Sequence, residues 1–205
     1  MTLLNSVIPN SNVLSFSTTK QHSLSSLLKR NALHNVTTIS MEQPHGSNFQ
    51  IISDINQTSI INNVDAIITN QKQHLLVVRS ADCLPILFYH PSGFVGAIHA
   101  GRKSTLSNLT FKVFNYLFCH YNLCDSFSIW FGPAICNSCY EIDYSTKETF
   151  HLIRENLNQL ESIFNLKTID LYLSNLCTCC QNDLFFSYRN ENQTKKRNYS
   201  AIISI

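Results

Sequence analysis

Residues 84–99 constrain the fold more than any other stretch of this chain. Leu84-Pro85-Ile86-Leu87-Phe88-Tyr89 and Phe94-Val95-Gly96-Ala97-Ile98-His99 are apolar and β-prone, and His90-Pro91-Ser92-Gly93 between them is a turn sequence. Proline presets φ in such a turn and glycine tolerates positive φ. The expected hairpin pairs the two runs and sets Cys83 and His99 side by side at its open end. The preceding run, His74-Leu75-Leu76-Val77-Val78-Arg79-Ser80, has the same character. It reads as a neighbouring strand, or as the first half of one kinked strand with Cys83 at the break.

Other strands are expected at 13–17, within 60–69 after a turn, at 127–131, at 168–173, and as a closing pair at 185–189 and 199–205. A short helix fits 23–33. Ser104 or Thr105 is placed to cap a helix over 106–121, with Leu106, Leu109, Val113, Phe114, Leu117 and Phe118 on its apolar face. Ser145-Thr146-Lys147-Glu148 matches a capping box, predicting a helix to about residue 156. Strands and helices are mixed and hairpins are prominent, so the class is α/β or α+β rather than a doubly wound sheet. The 205 residues fit one domain, 1–205. Such a domain buries roughly 70% of its unfolded surface and needs no metal to fold.

Composition removes several function classes. Fifteen basic and 13 acidic residues leave a formal charge of +2, too balanced for a nucleic-acid surface, and Lys195-Lys196-Arg197 reads as a solvated face. No run is long enough to span a bilayer, and the first nine residues lack the basic region of a signal peptide. All eight cysteines fall at or after position 83, unlike a disulfide scaffold, so a reducing, cytoplasmic setting is expected. The five glycines, at 46, 93, 96, 101 and 132, form no phosphate loop. Gly46 and Gly101 flank candidate ligands, where a missing Cβ permits close approach.

Three segments carry the chemistry: Gln43-Pro44-His45-Gly46, Ala81-Asp82-Cys83-Leu84-Pro85 and Gly96-Ala97-Ile98-His99-Ala100-Gly101. Two imidazoles and one thiolate, His45, Cys83 and His99, suit zinc with an open fourth position, as in a catalytic site. The same residues allow metal-free chemistry in which His99 activates Cys83 as a nucleophile. His22, His34, His74, His90, His120 and His151 have no such context and read as surface or packing residues. Asp82 needs a partner in a dry core, either orienting a ligand or capping its own loop. A rival structural zinc node from Cys136, Cys139, Cys177, Cys179 and Cys180 is disfavoured, because adjacent Cys179 and Cys180 chelate poorly.

These residues resemble the laccase-domain family, whose members are variously labelled multicopper polyphenol oxidases, purine nucleoside phosphorylases and peptidoglycan-editing factors. The resemblance spans residues 40–205. It adds Asp65-Ala66, Gly132-Pro133-Ala134-Ile135, Cys139-Tyr140-Glu141-Ile142, Cys177-Thr178 and Asp183-Leu184-Phe185-Phe186-Ser187-Tyr188-Arg189 to the segments above. It implies a single α/β domain with a layered mixed β core and flanking helices, related to toxin cysteine hydrolases, and a zinc held by His45, Cys83 and His99. It further implies phosphorolysis of adenosine, inosine, guanosine and methylthioadenosine with inorganic phosphate, and deamination of adenosine. Asp82, Arg102, Lys103, Arg189 and Arg197 are then candidates for substrate or phosphate contacts. Copper carries less weight than zinc: a multicopper oxidase needs many histidine ligands, and only two of eight histidines stand in convincing positions. The chain departs from the family pattern at Arg102-Lys103-Ser104, where Trp, a basic residue and Gly are usual, and at Thr194-Lys195-Lys196-Arg197, where Thr-Gly-Arg is usual. The alternatives are a zinc or thiol hydrolase of a cell-wall peptide or other amide, and a non-catalytic nucleoside- or protein-binding member.

Overall fold

A computed structural model describes residues 4–205 apart from residues 32, 34, 35 and 54. The reading of His34, of residue 32 in the first helix and of the first three residues therefore lies outside the described residues. Strands run in chain order as β1 (Leu4–Asn5), β2 (Val13–Ser17), β3 (Thr37–Met41), β4 (Phe49–Ile52), β5 (Ser59–Ile61), β6 (Ala66–Thr69) and β7 (His74–Ser80). They continue as β8 (Leu84–Tyr89), β9 (Val95–Ala100), β10 (Ser128–Phe131), β11 (Glu141–Asp143), β12 (Glu148–Thr149), β13 (Asp170–Leu173) and β14 (Asn198–Ser204). The α-helices are α1 (Leu24–Arg30), α2 (Arg102–Leu106), α3 (Leu109–Tyr121) and α4 (Leu152–Glu161).

Two six-stranded mixed sheets stack, ordered β1-β2-β14-β7-β3-β5 and β13-β10-β8-β9-β6-β4, with β11-β12 as a separate hairpin. Alternation along the strands explains the layering. On β7, Leu76 and Val78 join Ile39, Met41 and Ile202 against Ile67, Leu87, Val95 and Trp130 of the second sheet. The opposite residues, Leu75 and Val77, pack with Phe16, Ala201 and Ile203 on Leu27 of α1. On the far side of the second sheet, Ile86, Phe88, Ile98 and Ile129 meet Leu109, Val113, Phe114 and Leu117 of α3 and Leu152 and Leu160 of α4. Both sheets are thus sandwiched, which is why β8 and β9 read as continuous apolar runs. Each fully buried Phe, such as Phe88, Phe114 or Phe127, contributes about 1.5–3 kcal/mol.

The hairpin forms as expected: Leu84 pairs with Ala100, Pro85 with His99 and Tyr89 with Val95. Its turn closes through Gly93 N–H donating to His90 O at 2.9 Å, with Gly93 at φ +94°. β7 and β8, however, are neither neighbours in one sheet nor one kinked strand. They belong to different sheets, and the chain crosses between them at residues 81–83, where Asp82 adopts φ +87°.

Three other expectations are corrected. The 106–121 helix is two helices, because Asn108 is left-handed at φ +57°, and α2 starts from Gly101 with Ser104 and Thr105 buried inside it. The capping-box segment is no helix start: the Asp143 carboxylate accepts Ser145 N–H at 2.8 Å and Ser145 Oγ–H at 2.6 Å, forming the turn of the β11-β12 hairpin. The helix opens later, where His151 Nδ1 accepts Arg154 N–H at 3.2 Å. Residues 185–189 form no strand. The Asn198 side chain accepts Phe186 N–H at 2.9 Å and donates to Phe186 O at 2.8 Å, while β14 pairs with β2 and β7.

Candidate active site and metal centre

At one end of the sandwich the three ligand segments meet. β3 ends at Met41, and the Gln43 side chain extends the ladder by donating to Arg79 O at 2.6 Å and accepting Arg79 N–H at 3.0 Å. Gln43 and His45 both turn at φ +65° around Pro44, which delivers the His45 ring to the mouth of the hairpin. The ligand atoms of His45, Cys83 and His99 all lie within 4.8 Å of one another, and the two imidazole rings stand edge to face at 4.8 Å. His99 is buried, Cys83 partly exposed and His45 exposed, a gradient from protein to solvent.

Asp65 organises this triad, and sequence reasoning gave it no role. Its fully buried carboxylate accepts His45 N–H at 3.0 Å and Gly46 N–H at 2.6 Å. The same Oδ1 accepts the His99 Nδ1 proton at 2.9 Å. That bond leaves Nε2 of His99 as the free ligand atom. The available signal was an acid directly before the wholly buried strand β6, where an unpaired carboxylate would be costly.

Gly101 behaves as expected: a Cβ there would lie 3.1 Å from Cys83 Sγ and 3.1 Å from His45 Cδ2. Gly46 does not, since an added Cβ would meet its nearest neighbour, an Asp65 oxygen, at an ordinary 3.6 Å. Asp82 is a loop-capping carboxylate. Thr178 Oγ1–H donates to its Oδ1 at 2.7 Å, and Arg189 N–H donates to its Oδ2 at 2.7 Å.

Without metal the triad is an ion pair. Burial pushes the Cys83 thiol up, but the His99 charge and hydrogen bonds from His45 and His99 outweigh it and hold the thiol at about 6. Burial likewise disfavours the charged His99 ring, yet the Cys83 charge and the Asp65 hydrogen bond raise it to about 9. The donor set fits zinc: one thiolate, two imidazoles, an outer carboxylate fixing the tautomer, and an open side towards solvent.

The triad lines a cleft of about 670 Å³. The expected contacts Asp82, Arg102, Lys103, Arg189 and Arg197 all line it, together with Arg79, Lys195, Tyr140 and Tyr188, which the sequence reading left without a role. Six cations therefore face the cleft against two acids, Glu42 and Asp82, and Asp82 is spent on its own loop. Not every cation is available. Arg79 Nη2 donates to Met41 O at 2.8 Å and Arg197 Nη1 to Thr194 O at 2.6 Å, whereas Lys103 and Lys195 are exposed. Arg189 lies over the Tyr140 ring at 5.3 Å and donates to Tyr144 Oη at 3.0 Å. Burial pushes the Tyr140 hydroxyl up, keeping it a neutral donor. A buried network holds α2, and with it Lys103, in place: Asn156 Nδ2 donates to Thr105 Oγ1 at 3.0 Å, and Thr110 Oγ1–H donates to Asn156 Oδ1 at 2.6 Å.

The disfavoured second cluster also assembles. Cys136, Cys139, Cys177 and Cys180 bring four sulfurs within 4.8 Å of one another and could hold a metal, while Cys179 packs against the helix-side core. The poor chelating step is therefore not used. The missed signal was Cys177-Thr178-Cys179-Cys180 as a second C-x₂-C pair.

The chain belongs to the family described as multi-copper polyphenol oxidoreductase laccase, whose model matches residues 20–204. A purine nucleoside phosphorylase of Campylobacter jejuni is 32% identical over 167 residues, covering 76% of this chain and 73% of the relative. An adenosine deaminase from an unknown prokaryotic organism is 25% identical over 177 residues, 75% of this chain and 67% of the relative. The fold matches the crystal structure of YlmD from Geobacillus stearothermophilus with a TM-score of 0.86 at 22% identity, covering 96% of this chain and 93% of that one. Among the described residues no helix is long and apolar enough to cross a membrane.

Proposed function

We propose that this chain is a zinc-dependent purine nucleoside phosphorylase that also deaminates adenosine, with His45, Cys83 and His99 as ligands. The observation that carries the reading is their convergence within 4.8 Å in a cationic cleft. Relatives named for both activities support it. In phosphorolysis, phosphate bonds to C1′ as the glycosidic bond breaks, giving free base and ribose 1-phosphate. In deamination, water adds at C6 and ammonia departs. Zinc held by His45, Cys83 and His99 would supply Lewis acidity and would lower the pKa of water at its open position.

The protein's own groups bind and orient. Lys103, Lys195 and Arg189 hold phosphate, with the positive cleft drawing the anion in. Tyr140 and Tyr188 offer ring faces to a purine, in place of the tryptophan that Arg102 replaces. Adenosine, inosine, guanosine and methylthioadenosine are the substrates to assay. Base-resolving chromatography with inosine should show hypoxanthine only when phosphate is present, and adenosine should give inosine. Hypoxanthine in equal yield without phosphate, or no product from any of the four nucleosides, would overturn the reading.

One observation favours a second reading. Cys83, His99 and Asp65 also form a nucleophile, base and orienting carboxylate, the arrangement of a thiol hydrolase acting on an amide or cell-wall peptide. Peptide turnover that survives chelation and is abolished by Cys83 alkylation would select it.

A further inference from the structure

Outside the cleft, two C-x₂-C pairs with 37 residues between them in the chain face each other. Cys136 caps and Cys139 closes a single tight turn, Asn137–Cys139, and Cys177 opens another, closed by Gln181 N–H donating to Cys177 O at 2.9 Å, in the segment between β13 and β14. Their sulfurs are 3.4 Å apart for Cys139 and Cys180 and 4.0 Å for Cys136 and Cys180. Four thiolates around one zinc at about 2.3 Å place the sulfurs about 3.8 Å apart, so little movement is needed. Two backbone N–H groups, of Cys136 and Cys180, donate to Cys177 Sγ at 3.3 Å each, as suits an anionic sulfur. Apart from these contacts the two loops share little ladder: Ala134 and Cys177 make one isolated parallel bridge.

We propose that Cys136, Cys139, Cys177 and Cys180 bind a second, structural zinc ion as a closed tetrathiolate site. Each thiol gives its proton to solvent on ligation, and all four tetrahedral positions are filled by protein, which leaves no place for substrate. The ion acts as a cross-link. Cys139 directly precedes Tyr140 on the cleft wall, and Cys177 directly precedes Thr178, whose hydroxyl holds Asp82 beside Cys83. The node thereby sets the wall and the ligand loop in one register. Soft thiolates favour zinc over harder cations here.

The test is metal content of the full chain, purified under reducing conditions and passed through gel filtration with a weak chelator. Because Cys83→Ala removes the cleft ligand, that variant should keep one zinc per chain. Adding Cys180→Ser should remove it, at least tenfold, while the circular dichroism spectrum is retained. Should the double variant fail to fold, cobalt(II) loaded into Cys83→Ala gives the second readout: intense thiolate-to-metal charge transfer with tetrahedral ligand-field bands. Zinc-free Cys83→Ala protein, zinc indifferent to Cys180→Ser, or cobalt bands of octahedral character would each overturn the proposal. The cleft assignment fails separately, since it is read from zinc lost on Cys83→Ala alone.

Discussion

Replacing Asp65 by Asn removes one charge while keeping shape, and the hydrogen-bond pattern makes the outcome calculable. The carboxylate receives three protons: Oδ1 takes those of His45 N and His99 Nδ1, and Oδ2 takes that of Gly46 N. An amide has one acceptor oxygen. If that oxygen stays at Oδ1, the new NH₂ faces the Gly46 N–H; if it flips, the NH₂ faces both His45 and His99. His99 can answer only by moving its proton to Nε2, the atom needed for the metal. Each charge-assisted hydrogen bond lost costs about 1.5–3 kcal/mol, and loss of such an outer partner weakens metal binding by about 10–100-fold. Competition with a chromogenic chelator should therefore show Asp65→Asn holding zinc at least tenfold more weakly, with inosine phosphorolysis falling in parallel. Zinc affinity within twofold of the parent would refute the role given to Asp65.

Other expected outcomes follow from the same geometry. In chelator-stripped protein, Cys83 is mostly thiolate above its pKa of about 6, so its alkylation rate should stay nearly level from pH 7 to 9 and drop to about half at its pKa of about 6; a rate rising steadily to pH 9 contradicts the ion pair. Gly101→Ala pushes a methyl to 3.1 Å from both Cys83 Sγ and His45 Cδ2, and should weaken zinc binding with the melting temperature nearly unchanged. Lys103→Ala and Arg189→Ala should each raise KM for phosphate about tenfold, the value of one charged hydrogen bond, with kcat little altered; an unchanged KM removes that residue from phosphate binding. Gly96→Ala sets a Cβ 2.2 Å from the Phe88 ring and should cost about 1–3 kcal/mol or more by overpacking, read as a lower calorimetric Tm.

Local signals carried the parts of this molecule whose partners lie nearby in the chain. The hairpin and its turn follow from residues 84–99 alone, and Cys83 beside His99 follows from the hairpin. His45 was recognisable by its Pro-Gly neighbours, but its meeting with the others depends on the Gln43 side chain bridging to β7, a contact 36 residues away. Strands β3, β4 and β5 escaped notice because they are short and carry Ser, Thr and Gln among their apolar residues. The opposite error arose at 185–189, where apolar, β-prone residues look like a strand. There side chains do the work of a strand partner: Asn198 at Phe186, Glu191 at Ser187 and Asp82 at Arg189. Asp143 likewise outcompeted the capping box by binding its own loop, which is how a short carboxylate diverts a helix-start sequence into a turn.

The proposed activity requires a zinc ion between His45, Cys83 and His99. Anomalous diffraction from a crystal of the purified chain, recorded on both sides of the zinc absorption edge, tests it most directly. A peak is expected about 2.0–2.1 Å from one nitrogen of each imidazole and about 2.3 Å from Cys83 Sγ. A fully folded, catalytically active crystal with no zinc peak at that position would contradict it.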